Sequence, residues 1–171
     1  RMLAADVFTG NPDSYVLGSN TLLAIAANNG VLANDFSPYP EALDAVVVND
    51  VEHGALELQG DGSFTYMPDL GFLGVDAFSY KMLQANQESV EIEVEIRVTS
   101  EPIVVSEFMA ANGRDLLDED GDSSDWIELS NLTSMPIDLT GWYLTDDQTE
   151  LDKWQFPETV VPSHSFQIVF A

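Results

Sequence analysis

Ser89-Val90-Glu91-Ile92-Glu93-Val94-Glu95-Ile96-Arg97-Val98-Thr99 alternates apolar and polar side chains without a break. Successive side chains of a strand leave on opposite faces, so this period of two puts Val90, Ile92, Val94, Ile96 and Val98 on one side and Glu91, Glu93, Glu95 and Arg97 on the other. Branched residues suit a pleated, half-buried surface, and the segment reads as a strand with one face in a core. Its three glutamates invite a metal reading. Spaced two apart on a strand, they are better explained as a solvated face that also discourages pairing at a sheet edge.

Working back from this strand, Gly71–Leu83, GFLGVDAFSYKML, gives another, with Phe78 and Tyr80 on one face. Before it, His53–Pro68, HGALELQGDGSFTYMP, reads as a hairpin. Leu56 and Leu58 alternate in the first arm, Phe64 and Tyr66 in the second, and Asp61-Gly62 supplies the turn because glycine tolerates positive φ. The one stretch that tempts a helical reading, Thr21–Asp35, TLLAIAANNGVLAND, is broken by Asn28, Asn29 and Gly30. Short strands separated by recurrent turn residues predict an all-β fold: two Ig-like antiparallel β-sandwich domains in tandem.

The pattern resets at Ser100-Glu101-Pro102. Proline cannot continue a central ladder, so the first domain is expected to span 1–100 and the second 101–171. The second restarts with Ile103–Ala110, IVVSEFMA, and an acidic loop, Asp115–Asp125, DLLDEDGDSSD, follows. Strand candidates then lie in WIELSNL, IDLTGWYLTD, KWQF and SFQIVF. A full Ig-like sandwich takes about 100 residues and some seven strands. Five candidates from Glu101 onward predict an incomplete domain. Its last run, Phe166–Phe170, is expected to present an edge that a second copy, the first domain or further strands would cover.

The 171 residues carry 30 acidic side chains against 5 basic ones, a formal charge of −25. Phosphate binding requires clustered Lys or Arg, so nucleic acid and anionic membranes are excluded as partners. Cations are attracted instead, though a salty habitat or plain solubility explains such a surface equally well. With 45% hydrophobic residues, sizeable cores are available. The absence of cysteine removes disulfides and thiolate metal sites. Two histidines, His53 and His164, do not make a His-rich metal site, and His53 reads as a turn residue. No run approaches the ~18 apolar residues a membrane helix needs, and the start shows no signal-peptide pattern. The chain reads as a piece of a longer protein.

Aspartates at alternate positions can curl several oxygens around one hard cation. Asp118, Asp120 and Asp122, with Asp125, are therefore the candidate calcium ligands. The spacing is similar to the start of an EF-hand loop, but Gly121 stands fourth rather than sixth, no glutamate stands twelfth, and Glu128 falls eleventh. No nucleophile–base order, phosphate loop or zinc motif is present, so no catalytic residue is assigned.

Val31-Leu32-Ala33-Asn34-Asp35, His53-Gly54, Asp61–Tyr66, Pro68, Gly71-Phe72, Gly74, Asp76 and Phe78-Ser79-Tyr80 occur in an order that resembles the bacterial cadherin-like or Ig-like tandem repeats of large surface proteins, over about residues 10–99. In that family further aspartates often follow the Asn-Asp motif. Here Phe36, Pro38 and Pro40 stand instead, so Asn34 and Asp35 are expected to form a structural turn, and Asp76 to accept backbone amides in a turn. Ser106–Ala110, Asp125–Leu129, Asn131, Asp138–Asp147 and Lys153–Pro157 resemble the lamin tail domain in its bacterial secreted form. The two resemblances imply a secreted or cell-surface protein with a structural or adhesive role. Its partners would be other protein domains or extracellular ligands, glycans among them, and homo-association through the C-terminal strand is a further expectation. The alternative is a carbohydrate- or surface-binding accessory to an enzyme elsewhere in the parent protein. Trp126, Trp142 and Trp154 are read as core packing, with a sugar platform as the other option.

Overall fold

The computed structural model describes residues 8–37, 42–84, 87–113 and 116–170. The chain divides into two compact units, Arg1–Ser100 and Glu101–Ala171.

In the first unit β1 (Asp13–Gly18) is followed by β2 (Leu23–Ile25) and a 3-10 turn at Ala27–Asn29. Then come β3 (Asp44–Asn49), β4 (Gly54–Leu58), β5 (Phe64–Pro68), β6 (Gly74–Gln84), β7 (Gln87–Glu88) and β8 (Ile92–Thr99). One sheet runs β1-β8-β6-β3, with β7 added to β6, and the other runs β2-β5-β4. The pairing is antiparallel except between β1 and β8, which run parallel with Asp13 opposite Val94 and Leu17 opposite Val98. Phe64 ties the sheets together. Its ring on β5 meets Tyr15 on β1 edge-on at 5.0 Å and Phe78 on β6 at 5.6 Å. Phe64, Tyr66, Phe78, Tyr80, Ile96 and Val94 are all buried. Aromatic rings bury large apolar areas, which lets a sandwich of this size close its core.

The hairpin forms where its sequence places it. Leu58 stands opposite Phe64, and Gly62 turns the chain at φ +84°. Asp61 caps that turn by accepting the Ser63 amide at 3.0 Å. The alternating segment begins later than its pattern suggests. Pairing with β6 starts at Ile92 opposite Tyr80, while Ser89 is buried in the turn from β7, its hydroxyl accepting the Met82 amide at 2.9 Å. Val90 therefore does not reach the core and is 76% exposed. A tertiary hydrogen bond to a polar neighbour overrides the alternation at its first step.

The second unit holds β9 (Ile103–Met109), β10 (Trp126–Asn131), β11 (Ile137–Asp138), β12 (Tyr143–Leu144), β13 (Trp154–Gln155), β14 (Val160–Val161) and β15 (Phe166–Phe170). β10 is the centre of a sheet ordered β15-β10-β9, and β11-β14 and β12-β13 form two short pairs. Leu129, Leu139, Phe156 and Val161 make the core, with Ile103, Ile127, Ile137, Leu144 and Val169 packed against it. Among the described residues, seven strands thus stand where the sequence offered five candidates. IDLTGWYLTD is split by a turn, in which the Trp142 amide donates to Leu139 O at 2.9 Å with Gly141 at φ +81°. β14, two residues long, carries too short a pattern to be read. Among the described residues, β15 pairs only with β10, and Phe166 is exposed.

Buried Asn131 organises the second unit. Its Nδ2 donates to the carbonyls of Met135, Val161 and Pro162 at 2.8, 3.0 and 3.0 Å. Its Oδ1 accepts the Thr133 amide at 2.8 Å and hydroxyl at 2.7 Å. One side chain so satisfies polar groups at the end of β10, in the following turn and after β14.

Candidate functional site

The acidic loop between β9 and β10 is closed by its own hydrogen bonds. Asp118 Oδ1 accepts the amides of Asp120 at 3.0 Å and Asp122 at 2.9 Å, and Oδ2 accepts the Ser124 hydroxyl at 2.5 Å. The Asp118 amide returns to Asp122 O at 3.0 Å, with Gly121 at φ +84°. The Ser124 hydroxyl, then the Asp122 and other loop amides, hold the Asp118 carboxyl below its ordinary value. Asp125 faces the opposite way along the chain. Its Oδ1 accepts the amides of Ala111 at 2.7 Å and Asn112 at 3.2 Å, which pins the end of β9 to the start of β10.

Asp118 and Asp125 are thus engaged by N–H and O–H donors, and Asp120 and Asp122 are exposed. The structure brings Asp118, Asp120 and Asp122 into one turn but does not gather the four carboxylates on a common point. Among the described residues, no three His, Asp or Glu side chains are grouped as metal ligands. Calcium takes six to eight oxygens, so this loop does not fit the ion as built. Glu128 lies on β10, where its Oε1 accepts the Ser106 hydroxyl at 2.7 Å.

Asn34 and Asp35 form a polar clasp rather than an open loop. Asp35 Oδ1 accepts the Asn11 amide at 2.8 Å, Asn34 Nδ2 donates to Asp13 Oδ1 at 3.0 Å, and Asn11 Nδ2 donates to Asn34 O at 2.6 Å. Asp13 is the member that sequence reading missed. It stands alone between Pro12 and Ser14, with no neighbouring acid to flag it.

Asp76 is the most completely satisfied carboxylate described. Oδ1 accepts the amides of Glu52 and Ala77, both at 3.0 Å, and Oδ2 accepts the His53 amide and the Tyr66 hydroxyl, both at 2.9 Å. Burial raises its carboxyl, but these four donors outweigh that and hold it below the ordinary value. His53 keeps its ring stacked on Phe72 at 4.5 Å. The Ser79 hydroxyl donates to Glu91 at 2.6 Å and accepts from Asn49 at 2.8 Å, a network within the sheet. His164 Nε2 and Ser134 Oγ lie 3.4 Å apart on the surface.

Trp126 is buried, whereas Trp142 and Trp154 are 49% and 42% exposed. Trp154 flanks an apolar cleft of about 650 Å³ lined by Val105, Ile127, Leu144, Val169 and Phe170. Asp146 and Lys153, joined at 2.5 Å, lie at the same cleft. The core-packing reading therefore applies to Trp126 and not to the other two.

Two tandem β-sandwich units whose buried polar side chains serve the fold define the protein as an assembly of structural modules. Residues 4–97 match the bacterial Ig domain family, and the chain belongs to it. Residues 98–171 match the lamin tail domain, so the chain carries the two families in tandem. Domains of these families are generally non-catalytic. No curated protein matches the sequence closely enough to count as a relative.

Proposed function

We propose that this chain is a non-catalytic structural and adhesive segment of an extracellular or cell-surface protein. The observation that carries the reading is the tandem of a bacterial Ig domain and a lamin tail domain. The acidic surface keeps such a segment off anionic polymers and membranes. Among the described residues no helix is long and apolar enough to cross a membrane. The test is saturable retention of the intact purified chain on cell surfaces, set against a turnover screen with ester, glycoside and phosphate substrates. Retention without turnover supports the reading, and turnover abolished by a single substitution overturns it.

Calcium stabilisation is the finer part of the proposal. It requires the 118–125 loop to open, with Asp118 exchanging its Ser124 and amide donors for the ion and Asp120 and Asp122 joining it. An ion bound only to the folded state adds about 2.7 kcal/mol at a hundredfold excess over Kd. Melting followed by tryptophan fluorescence should rise with calcium and fall with chelator, and an Asp120→Ala, Asp122→Ala double variant should lose the response. An unchanged melting temperature removes calcium and leaves the structural reading standing.

The exposed Trp154 at an apolar cleft favours a second reading, a glycan- or surface-binding accessory module. Saturable sugar binding lost in Trp154→Ala would support it, and a glycan screen with no saturable binding would remove it.

A further inference from the structure

One edge of β15 carries backbone groups without a partner strand. Among the described residues β15 pairs only with β10, from Trp126 opposite Phe170 to Ser130 opposite Phe166. In an antiparallel pair alternate residues turn both backbone groups toward the partner, and the residues between turn theirs away. The Asn131 amide donates to Ser165 O at 2.8 Å, which sets the phase. Gln167 and Val169 therefore face β10, while Phe166, Ile168 and Phe170 turn their N–H and C=O groups outward. Ile168 O shows what this edge lacks. It accepts the side-chain amide of its own neighbour, Gln167, at 2.8 Å, where a partner strand would place a backbone amide.

Two cavities meet along the same edge. The apolar cleft of about 650 Å³ beside Trp154 shares Trp154, Val169 and Phe170 with a second groove of about 370 Å³. Gln167, Ile168, Val169 and Phe170 all line that groove. Successive side chains of a strand leave on opposite faces, so a groove touching four in a row follows the strand's edge and not one face. Asp118, Glu119 and Asp120 stand in it as well, and the last two are exposed. Among the described residues no cation lines it.

Each feature narrows the occupant. Outward N–H and C=O groups at strand spacing match another extended backbone, which a sugar does not reproduce. The acids favour Lys or Arg, and the adjoining cleft takes an apolar side chain. A second copy of this chain brings 30 acidic residues against 5 basic ones, and so repulsion. We propose that the edge of β15 docks an extended peptide in which apolar residues alternate with Lys or Arg. Its backbone pairs with Phe166, Ile168 and Phe170, its apolar side chains enter the cleft beside Trp154, and its cations face Glu119 and Asp120. This goes beyond the adhesive role proposed above, which stands if the groove takes no peptide.

The test is fluorescence anisotropy on the intact chain in EDTA at about 0.15 M salt. The probe is a labelled short peptide alternating lysine and valine, and a lysine–serine peptide of equal charge reads plain electrostatic attraction. Saturable binding is expected, with a preference for the valine peptide of about tenfold, the equivalent of one apolar side chain partly buried. Two versions of the peptide N-methylated on alternate residues should differ, because only one edge of an added strand pairs. One keeps its binding and the other loses it. By NMR, the Ile168 and Phe170 amides should gain exchange protection on binding, while those of Gln167 and Val169 change little. Glu119→Gln combined with Asp120→Asn should weaken binding about fivefold. Ile168→Pro removes an outward N–H and no bond to β10, and should abolish binding. If Ile168→Pro does not fold, the methylated peptides decide. Equal binding of the two methylated peptides, equal binding of the lysine–serine peptide, or protection gained only away from β15 would overturn the proposal. So would displacement of the peptide by a neutral glycan, or sedimentation showing that a second copy covers the edge.

Discussion

Replacing Asp76 probes how the first unit is held. The side chain is 4% exposed and receives four donors: the amides of Glu52, His53 and Ala77 and the Tyr66 hydroxyl. In Asp76→Ala, Tyr66 can turn to His53 O, which it already approaches at 3.2 Å, but three amides lose their acceptor. An orphaned buried donor costs about 1–3 kcal/mol. Glu52 and His53 are exposed residues whose amides water can partly rescue, which leaves about 3–5 kcal/mol. In Asp76→Asn the amide nitrogen is best placed at Oδ2, where it donates to Tyr66 and orphans only the His53 amide. The expected cost is about 2 kcal/mol. For a domain of this size, 1 kcal/mol corresponds to about 4–8 °C in Tm. The alanine variant should melt at least about 12 °C lower and the asparagine variant about 8–16 °C lower. The assay is circular dichroism of the intact chain, with tryptophan fluorescence as internal reference, because Trp126, Trp142 and Trp154 all lie in the second unit. Since the Asp76 carboxyl is held below its ordinary value, its contribution is present above pH ~4 and lost as pH falls through the folded pKa. The acid limb should flatten in both variants. A loss under about 0.5 kcal/mol in the alanine variant, or equal losses in both, would refute this account.

Three further outcomes are expected. Asn131→Ala removes the donor to the Val161 and Pro162 carbonyls and the acceptor of the Thr133 amide, while Met135 O keeps the Thr133 hydroxyl at 2.8 Å, and should lower stability by about 3 kcal/mol in a tryptophan-detected urea melt. Asn131→Asp should cost at least as much, because a carboxylate cannot donate to those carbonyls. Gly62 and Gly121 share φ +84°, but a Cβ on Gly62 would meet Leu32 at 2.9–3.0 Å, whereas one on Gly121 meets nothing within 4 Å. Gly121→Ala should therefore cost only the left-handed strain of about 1 kcal/mol and Gly62→Ala clearly more, as measured by thermal melting.

The sequence by itself determined the all-β class, the Asp61-Gly62 hairpin, the role of Asp76 as an acceptor of backbone amides and the tandem of families. These rest on local physics: a period of two, glycine at positive φ, and short motifs in a fixed order. Val90 shows where local pattern gives out, because a strand begins where a partner strand is available and not where alternation starts. The acidic loop shows a second limit. Alternate aspartates reveal how many oxygens are near one another in the chain, but the fold decided that Asp118 closes its own turn and Asp125 anchors β9. Trp142 and Trp154 are as apolar as Trp126, and only packing left them at the surface. Asp13 and Asp35 lie 22 positions apart with nothing in the intervening residues to couple them. They are drawn into one polar clasp, Asp13 on Asn34 and Asp35 on Asn11 and Tyr80, only because β1, the 31–36 loop and β6 meet, and hydrogen-bond supply there is a property of three-dimensional neighbours.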